Sequence, residues 1–447
     1  MATAVHRAPR LPGTTRLVPF LAQLLAWGGA AAVVALWWAN TEAVVGPAGW
    51  LTNAGRVTGL LAGYACAVLL ALMARVPLLD RNVGTDRLAR WHAMGGRYAV
   101  SLVVAHAALT VCGYALTTHR NVVSQTTDLV LDYPDMVKCL IGCVLLVVTG
   151  VVSVRAARRR MRYETWHYLH FLTYLAIFLA FGHQLANGAE FVAAPAARAA
   201  WYALYLGVAG LLLWYRFLLP VRRSLRHRLR VAGVLREGPG VVSVYLTGHR
   251  LPELRAEPGQ FLRWRFLAPG LWWTASPYSL SAPPRGDQLR ITVKAVGRHS
   301  AALARLRPGT RVWVEGPYGG LTAARRTTGK SLLLAGGVGI TPLRTLFETL
   351  PGQVTLLYRA RRPEDLALRA ELDAVAARRG AAVHYSVGGP DGHPVPLTPE
   401  GLSRLVPDLA EHDVFLCGPP GMTDAAVRAL RGAGVARRRI HHESFAF

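Results

Sequence analysis

Four histidines lie in two apolar segments of the chain at nearly equal separations. His92 and His106 are fourteen residues apart, and His170 and His183 are thirteen residues apart. At a rise of about 1.5 Å per helical residue these separations are about 21 Å and about 20 Å, which fits inside a hydrocarbon core about 30 Å thick. An imidazole in lipid is costly unless it has a partner, and neutral imidazole is a good axial ligand for haem iron. The four residues therefore predict two haems, held one above the other between two membrane-spanning helices.

The second histidine helix leaves two questions open. His167 lies three residues before His170 on a similar helix face, so either side chain could ligate the haem at that level. At about 100° per residue, fourteen residues return to within about 40° of the same face, whereas thirteen residues fall about 140° away. We therefore expect a bulge or kink in this helix, or two haems that are offset from each other.

The histidine helices belong to a set of six apolar segments that precede Pro220. The chain has 447 residues, 52% of them hydrophobic, and its mean hydropathy is +0.27. Most of the segments are about 20 residues long, the length needed to cross a bilayer. They are Leu17–Ala39, Gly55–Val76, Met94–Leu116, Met136–Val154, Trp166–Ala186 and Ala199–Leu219. The pattern predicts a cytoplasmic tail over residues 1–16 and a six-span haem-binding transmembrane domain over residues 17–220.

The arginines set the expected orientation of these spans. The loops after the second and fourth segments and the tail after the sixth are rich in arginine, whereas the opposite loops are poor in it. The positive-inside rule then places both termini in the cytoplasm, and it makes the third and fifth segments parallel. Parallel helices pair His92 with His170 at the inner level and His106 with His183 at the outer level. The net charge of +26 accompanies no nucleic-acid motif, so we expect no nucleic-acid partner.

Arg56 opens the second segment at the outer surface. One interpretation is an interfacial arginine whose head group reaches back to water. The other is a catalytic cation beside the outer haem that attracts an anionic or reduced-oxygen acceptor. The sequence leaves both open.

Beyond Pro220 the sequence changes to short alternating runs broken by Gly and Pro, and this half is expected to be soluble. Over residues 221–325 the pattern is typical of a small antiparallel β-barrel, closed by a turn over residues 316–320. The predicted strands are Val241–Thr247, Phe261–Phe266, Leu289–Val296 and Arg311–Glu315.

Two short motifs in this barrel are candidates for binding a flavin. Pro277, Tyr278 and Ser279 lie on one predicted strand, where the tyrosine ring can lie on a flavin while the serine hydroxyl reaches its nitrogen edge. The second motif precedes a predicted helix at Ala301–Leu306, which Ser300 is expected to cap. The backbone N–H groups of that helix terminus would receive a pyrophosphate. This second motif consists of Gly297, Arg298, His299 and Ser300.

Residues 326–447 alternate strand and helix, which is typical of a parallel sheet in an α/β nucleotide-binding domain. A buried strand runs into a glycine-rich turn and then into a predicted helix at Leu343–Leu350. Thr341 is expected to be the N-cap of this helix and Pro342 its first residue. The glycines let the backbone approach a dinucleotide phosphate, although the run is not the standard G-x-G-x-x-G fingerprint. The candidate residues are Gly336, Gly337, Gly339, Thr341 and Pro342.

Three further features complete the expected nicotinamide site. Arg359 or Arg361, after the next strand, could bind a ribose 2′-phosphate, which favours NADPH over NADH. Cys417 ends a third strand, so its thiol would lie at the cofactor crevice and could touch the nicotinamide ring. Gly418 and Pro419 follow the thiol and complete that strand end. A C-terminal aromatic residue, Phe445 or Phe447, could cover a flavin face until nicotinamide displaces it.

In this order, these residues resemble the ferric reductase and NADPH oxidase superfamily, in its short bacterial form. The soluble half is similar to the ferredoxin–NADP reductase-like module. The marks are the two bis-histidine helices, Pro277 to Ser279, the glycine-rich turn, Cys417 with its following glycine and prolines, and Glu443-x-Phe445.

The resemblance implies a set of roles for these residues. It implies haem b at both histidine levels, and bacterial relatives often read Trp-x-x-Leu-His, which favours His170, four residues after Trp166, over His167. It implies that Tyr278 and Ser279 contact the isoalloxazine ring, that residues 297–300 contact the pyrophosphate, and that the flavin is FAD. It maps the stacking aromatic onto Phe445.

The sequence as a whole predicts a transmembrane flavocytochrome. Electrons would pass from cytosolic NADPH through FAD and two haems b to an extracytoplasmic acceptor, either a ferric chelate or dioxygen. The flavin is needed because a hydride carries two electrons and haem accepts one. The alternative is an electron-donating partner that reduces a dedicated periplasmic protein or a quinone.

Overall fold

The computed structural model describes residues 14–154, 161, 163–192, 194–388 and 394–444. The chain divides into two compact units. The first comprises Met1–Val83 and Arg87–Arg216, and the second comprises Gly84–Asp86 and Phe217–Phe447. Each unit is described by itself below.

The first unit is helical. Its helices are α1 (Thr14–Ala39), α2 (Gly46–Leu72), α3 (Pro77–Asn82), α4 (Thr85–Thr118), α5 (Val122–Asp132), α6 (Met136–Ser153), α7 (Tyr163–Asn187), α8 (Ala189–Val192) and α9 (Pro195–Leu212). A π-helical stretch, Leu213–Leu218, follows α9, and α10 (Leu219–His227) comes next and belongs to the second unit. Six helices in the described part of the chain are long and apolar enough to cross a membrane, as the sequence predicts.

Large apolar side chains cover the outside of this unit. Trp27, Leu25 and Phe178 are among the exposed ones. In water such a surface would aggregate, whereas in lipid it is the expected outer surface of a helical bundle. Inside, small residues let the backbones approach each other: a Cβ on Gly142 of α6 would lie 2.6 Å from the Ala176 carbonyl of α7.

After α10, the second unit continues with two three-stranded antiparallel sheets. Their strands are β1 (Arg230–Gly238), β2 (Val241–Thr247), β3 (Phe261–Phe266), β4 (Ser276–Ser279), β5 (Gln288–Lys294) and β6 (Val312–Tyr318), in the orders β1-β2-β5 and β4-β3-β6. Bridges between Arg230 and Arg311 and between Leu280 and Ile291 join the sheets at two corners. The alternate residues Leu262, Trp264 and Phe266 point into the shared core, as period-two patterning requires. The arrangement is the antiparallel barrel expected for the flavin domain.

A five-stranded parallel sheet follows, in the order β11-β10-β7-β8-β9. Its strands are β7 (Lys330–Gly336), β8 (Gln353–Ala360), β9 (Ala382–Val387), β10 (Asp413–Gly418) and β11 (Ile440–Ser444). After α10, the helices of this unit are α11 (Arg298–Ala302) in the barrel, then α12 (Ile340–Thr349), α13 (Arg369–Arg379), α14 (Pro399–Leu405) and α15 (Pro420–Gly432). Two apolar clusters pack on the two faces of the sheet, so its strands are buried on both sides.

Several local predictions are wrong. Thr341 is not the N-cap of α12, because the helix starts at Ile340 with Gly339 as its cap. Ser300 is likewise the third residue of α11, whose cap is Gly297. In both cases a short turn preceding the expected start is already helical. Residues 316–318 continue strand β6 instead of forming a closing turn.

Asp413, at the start of β10, is fully buried and anchors the loop that precedes the first strand of the parallel sheet. Its carboxylate accepts backbone N–H groups from Thr327 (2.6 Å) and Thr328 (2.7 Å), and it lies 3.4 Å from His441 Nε2. Burial alone would raise the pKa of the Asp413 carboxyl, but the hydrogen bonds from Thr327 and Thr328 hold the pKa below its usual value. The carboxylate therefore joins the loop before β7 to β10 and β11.

We expect Asp413→Ala to lower the free energy of unfolding of the second unit by about 3 kcal/mol, because it leaves buried N–H groups unpaired. Because the folded pKa is depressed, the stabilisation is present above the unfolded pKa of about 3.9 and is lost as the pH falls below it. Urea titration with pulse proteolysis of the detergent-purified chain measures both effects. The exposed Asp424→Ala is the control. Equal losses in the two variants would contradict the assignment.

Candidate functional site

The four histidines of the first unit form two facing pairs. The imidazole centroids of His92 and His170 are 5.9 Å apart, and those of His106 and His183 are 6.4 Å apart. His92 and His106 lie on α4, and their partners lie on α7. The pairs follow the same order along both helices, so α4 and α7 run in the same direction. The geometry brings together the residues that the sequence pairs.

These separations suit two axial ligands of one metal. A metal–imidazole bond is about 2.0–2.1 Å long and the nitrogen lies about 1.1 Å from the ring centroid, so two axial imidazoles on one metal have centroids about 6.3 Å apart. Among the described residues there is no group of three or more His, Cys, Asp or Glu side chains that could hold a metal ion. A metal between such a pair needs its equatorial ligands from elsewhere, and a porphyrin supplies four. The donor set therefore fits haem and does not fit a bare ion.

Helix α2 orients both histidines of α4 through its backbone. His92 Nδ1 lies 3.2 Å from the Leu69 carbonyl oxygen, and His106 Nδ1 lies 2.8 Å from the Gly55 carbonyl oxygen. A carbonyl can only accept, so Nδ1 carries the proton and Nε2 is the nitrogen that can ligate. Gly59 is required here, because a Cβ at this position would lie 2.5 Å from His106 Nδ1.

The histidines of α7 are held differently. His170 Nδ1 lies 3.3 Å from the Ser153 hydroxyl of α6, which also accepts a 3.2 Å hydrogen bond from the indole N–H of Trp166. The Trp166 ring stacks on the His170 ring at 5.2 Å. His183 Nδ1 is bonded to the Ala180 carbonyl oxygen within its own helix.

The competing candidate His167 is placed elsewhere. Its ring centroid lies 4.5 Å from that of Phe171, while His170 faces His92. Helix α7 is α-helical throughout Tyr163–Asn187. The thirteen-residue spacing of His170 and His183 is therefore not accommodated by a π-bulge.

Arg56 on α2 is engaged by a buried carboxylate. Its Nη2 lies 2.6 Å from Glu190 Oε1, Nε lies 3.1 Å from the same oxygen, and Nη1 donates to Asn53 Oδ1 at 3.0 Å. Glu190 is 2% exposed. The pair ties α2 to α8 one residue beyond the Gly55 carbonyl that contacts His106. The positive charge of Arg56 is thereby offset within the protein.

In the second unit, Pro277, Tyr278 and Ser279 lie on β4, hydrogen-bonded to β3. Tyr278 is half-buried, and burial raises the pKa of its phenol. Ser279 is 3% exposed, and within the described part of the chain its hydroxyl finds no hydrogen-bond partner. A buried hydroxyl without a partner is costly unless a ligand supplies one. The strand therefore offers an aromatic ring beside a hydroxyl that a flavin nitrogen would satisfy.

The segment Gly297, Arg298, His299 and Ser300 lies beside this strand. The Ser300 hydroxyl accepts the backbone N–H groups of Val296 and Gly297, both at 3.0 Å. His299 Nδ1 lies 3.3 Å from the Ser276 hydroxyl, which joins the segment to the start of β4. Arg298 is exposed at the first helical position.

The glycine-rich turn and Cys417 share one edge of the parallel sheet. Cys417 pairs with Ala335 of β7 on one side and with Glu443 of β11 on the other. A Cβ on Gly339 would collide with the Cys417 carbonyl oxygen, so only glycine permits this approach. Gly336 and Gly337 precede Gly339, whereas Thr341 and Pro342 are buried in α12, and Gly418 and Pro419 follow Cys417. The Cys417 side chain is fully buried.

Two arginines end the neighbouring strand with different surroundings. Arg359, which pairs with Gly336, is half-buried and donates to the Val395 carbonyl, and burial lowers the pKa of its guanidinium. Arg361 is exposed two residues further on. Arg361 is therefore the better placed of the two for an added phosphate.

A charge cluster absent from the sequence predictions joins the barrel to the parallel-sheet domain. Arg290 of β5 makes a bidentate pair with Glu371 of α13, at 2.5 and 2.8 Å. Arg344 lies 3.1 Å from Glu371 and 2.7 Å from Glu348, which also pairs with Arg285. The sequence signal was Arg290 itself, a charged residue at a core position of a strand.

The C-terminal strand is joined to the barrel as well. Glu443 Oε1 accepts the Gly320 backbone N–H at 2.7 Å, which brings β11 next to the end of β6. Phe445 and Phe447 lie outside the described residues, so the expected stacking aromatic stays a prediction.

Comparisons with known proteins agree with this division. Residues 58–181 match the family described as ferric reductase like transmembrane component, and residues 333–428 match the oxidoreductase NAD-binding domain. The chain is 31% identical over 227 residues to the stachydrine N-demethylase reductase subunit Stc4 of Rhizobium meliloti (strain 1021), covering 47% of this chain and 64% of the relative. It is 33% identical over 210 residues to the flavohemoprotein of Bordetella pertussis, covering 42% of this chain and 52% of the relative.

The similarity extends to solved structures. The FAD/NAD-binding domain of nitric oxide dioxygenase from Vibrio cholerae aligns at 24% identity, with a TM-score of 0.42, over 49% of this chain and 99% of that one. The chain spans between about half and two thirds of the length of the curated relatives named above.

The two family matches fall on the two structural units in the expected order, and the match in the second unit supports an NAD(P)H oxidoreductase module. Along the chain, a segment similar to the ferric reductase like transmembrane component therefore precedes one similar to the oxidoreductase NAD-binding domain.

Proposed function

We propose that the protein is a transmembrane flavocytochrome that moves electrons from cytosolic NADPH, through FAD and two haems b, to an acceptor outside the membrane. The observation that carries the proposal is the pair of facing imidazole couples, 5.9 and 6.4 Å between centroids, inside an apolar bundle. When bound, FAD supplies the conversion of a two-electron hydride into single electrons, and each haem supplies a one-electron relay.

The residues of the first unit would hold the haems and fix their orientation. His92 with His170, and His106 with His183, would ligate through Nε2. The carbonyls of α2 and the hydroxyl of Ser153 keep the proton on Nδ1 or orient that nitrogen. Both termini are proposed to face the cytoplasm, as the arginine-rich loops indicate.

The residues of the second unit would bind and orient the flavin and the nicotinamide. Tyr278 would lie against the ring system and Ser279 would donate to its nitrogen edge. The segment 297–300 would bind the pyrophosphate, and the turn 336–339 would receive the nucleotide phosphate. Cys417 lies at the carboxyl edge of the sheet, where ligands of this fold class bind. Its thiol would contact the nicotinamide ring.

Arg56 is proposed to hold helix α2 in place rather than to attract an anionic electron acceptor. Glu190 offsets its charge, so its effect on an anionic acceptor is weak. The ion pair holds α2 against α8, and α2 carries the Gly55 carbonyl that orients His106. A role of Arg56 beside the acceptor stays a prediction.

The first test removes one haem at a time. We expect His106→Ala or His183→Ala to retain about one haem per chain, because the other imidazole pair lies more than one helical turn away and keeps its partners. Pyridine haemochrome assays and low-spin bis-imidazole spectra of the purified protein measure the content. His167→Ala is the matched control and should keep both haems. Wild-type protein without haem absorbance after expression with haem supply would refute the proposal.

The second test concerns the nucleotide. We expect Arg361→Ala to raise KM for NADPH about tenfold to a hundredfold and to leave KM for NADH nearly unchanged, because one charge-assisted contact to the 2′-phosphate is worth about 1.5–3 kcal/mol. Ferricyanide serves as the artificial acceptor. Arg362→Ala, whose guanidinium is paired with Asp365, is the control. A parallel rise for both nucleotides would argue against 2′-phosphate recognition at Arg361.

The third test ranks the acceptors. Protein in nanodiscs is reduced with NADPH and mixed separately with ferric citrate and with dioxygen, and haem reoxidation is followed by stopped flow. We expect ferric citrate to reoxidise the haems faster than dioxygen. Slow reoxidation by both would favour the alternative, a dedicated periplasmic protein or quinone as the acceptor.

A further inference from the structure

The end of helix α10 carries a concentration of arginines that the electron-transfer proposal does not use. α10 (Leu219–His227) closes the apolar stretch Pro195–His227, a candidate membrane span. Its exposed side chains alternate between basic and apolar, with Leu225 64% exposed. The basic residues in and just after it are Arg222, Arg223, Arg226, Arg228 and Arg230.

One of these arginines, Arg228, shares an unusual backbone conformation with Arg250, which lies after strand β2. Arg228 and Arg250 both adopt the left-handed conformation, with φ of 43° and 52°. Each follows a histidine, and the two histidines are bonded to each other: the His249 N–H donates to the His227 carbonyl at 2.8 Å, and His227 Nδ1 lies 3.0 Å from the His249 carbonyl oxygen. Left-handed backbone costs about 1–2 kcal/mol at a non-glycine residue and persists only where the surroundings impose it.

The two arginines line one open cavity of about 330 Å³ together with Leu225, Arg226 and His249. Arg226 is paired with Glu253 at 2.5 Å, so one charge of the cavity is offset. In the part of the chain that the structure describes, neither Arg228 nor Arg250 has a side-chain hydrogen bond or ion pair, and both are exposed. Glu253 also interacts electrostatically with Arg250, without a hydrogen bond to it. The cavity therefore presents two guanidinium groups with free donors, Arg228 and Arg250, beside an exposed leucine.

We propose that this cavity binds the phosphodiester head group of an anionic phospholipid. Guanidinium groups suit a phosphate because their fork of donors matches its oxygens. Leu225 supplies an apolar surface for the start of an acyl chain, which a soluble phosphate would not use. The position in the chain also favours lipid, because basic residues just beyond a membrane span attract anionic head groups. The site is independent of the haems and of the nicotinamide.

Native mass spectrometry of the full chain in detergent, titrated with phosphatidylglycerol, tests the proposal. We expect the wild-type protein to retain phosphatidylglycerol in preference to phosphatidylcholine. Arg228→Gln with Arg250→Gln should bind it roughly thirty-fold more weakly, since each arginine near an anionic lipid contributes about fivefold. Millimolar inorganic phosphate should not displace the lipid.

The control is Arg428→Gln with Arg431→Gln, two exposed arginines of α15, which should bind phosphatidylglycerol as the wild type does. Flavin content and NADPH-dependent ferricyanide reduction report whether each variant is folded. Arg228→Asn with Arg250→Asn repeats the test with a side chain that tolerates left-handed backbone. Equal phosphatidylglycerol binding in the wild type and in the Gln and Asn double variants of Arg228 and Arg250 would overturn the proposal. Equal retention of phosphatidylcholine and phosphatidylglycerol by the wild type would also overturn it, as would displacement of the lipid by inorganic phosphate.

Discussion

An imidazole inside an apolar helix bundle needs a partner for each of its two nitrogens, and this requirement organises the first unit. Helix α2 meets half of it. The carbonyls of Gly55 and Leu69 are fourteen residues apart, the same separation as His92 and His106, so one antiparallel helix can serve both rings. The Leu69 carbonyl is available because the Met73 N–H turns to the carbonyls of Leu70 and Ala71 at the helix end. Each of these rings faces an imidazole on α7, and Nε2 is the nitrogen left for a ligand.

A second constraint joins the halves of the soluble unit. Arg290 reaches from the barrel to Glu371 of the nucleotide-binding half, and Arg344 shares the same carboxylate. Burial alone would lower the pKa of Arg290, but its hydrogen bonds with Glu371 and Tyr245 raise it, so the pair stays charged. Breaking a buried pair of this kind leaves an uncompensated charge, which is costly. The cluster therefore favours one arrangement of barrel and sheet, and a fixed arrangement is what hydride transfer between two bound cofactors requires.

The sequence predicted the features that depend on side-chain type and period. The six spans, the positions of strands such as Val241–Thr247 and Phe261–Phe266, and the pairing of His92 with His170 all follow from apolar length, alternation and charge. It did not predict the partners of the imidazoles, because every residue has a carbonyl and nothing in a sequence marks the one that is used. It also misplaced the helix starts at Thr341 and Ser300, because the residues just before each expected cap are already helical.

The thirteen-residue spacing in α7 shows how side chains can absorb a mismatch that the backbone does not. His170 and His183 leave a regular helix in directions about 140° apart, yet both rings face partners on α4. The His170 ring is held by Ser153 and Trp166 and crosses His92 at 78°, whereas the His183 ring turns back to its own helix at Ala180 and meets His106 at 39°. Each histidine side chain can rotate about two bonds. The His170 ring is anchored to a neighbouring helix and the His183 ring to its own helix, so different side-chain rotations bring the two rings to their partners. The two imidazole pairs therefore differ in ring orientation and in hydrogen-bond partners. In the proposed electron relay, the different hydrogen bonds around the ligands would give the two haems different potentials.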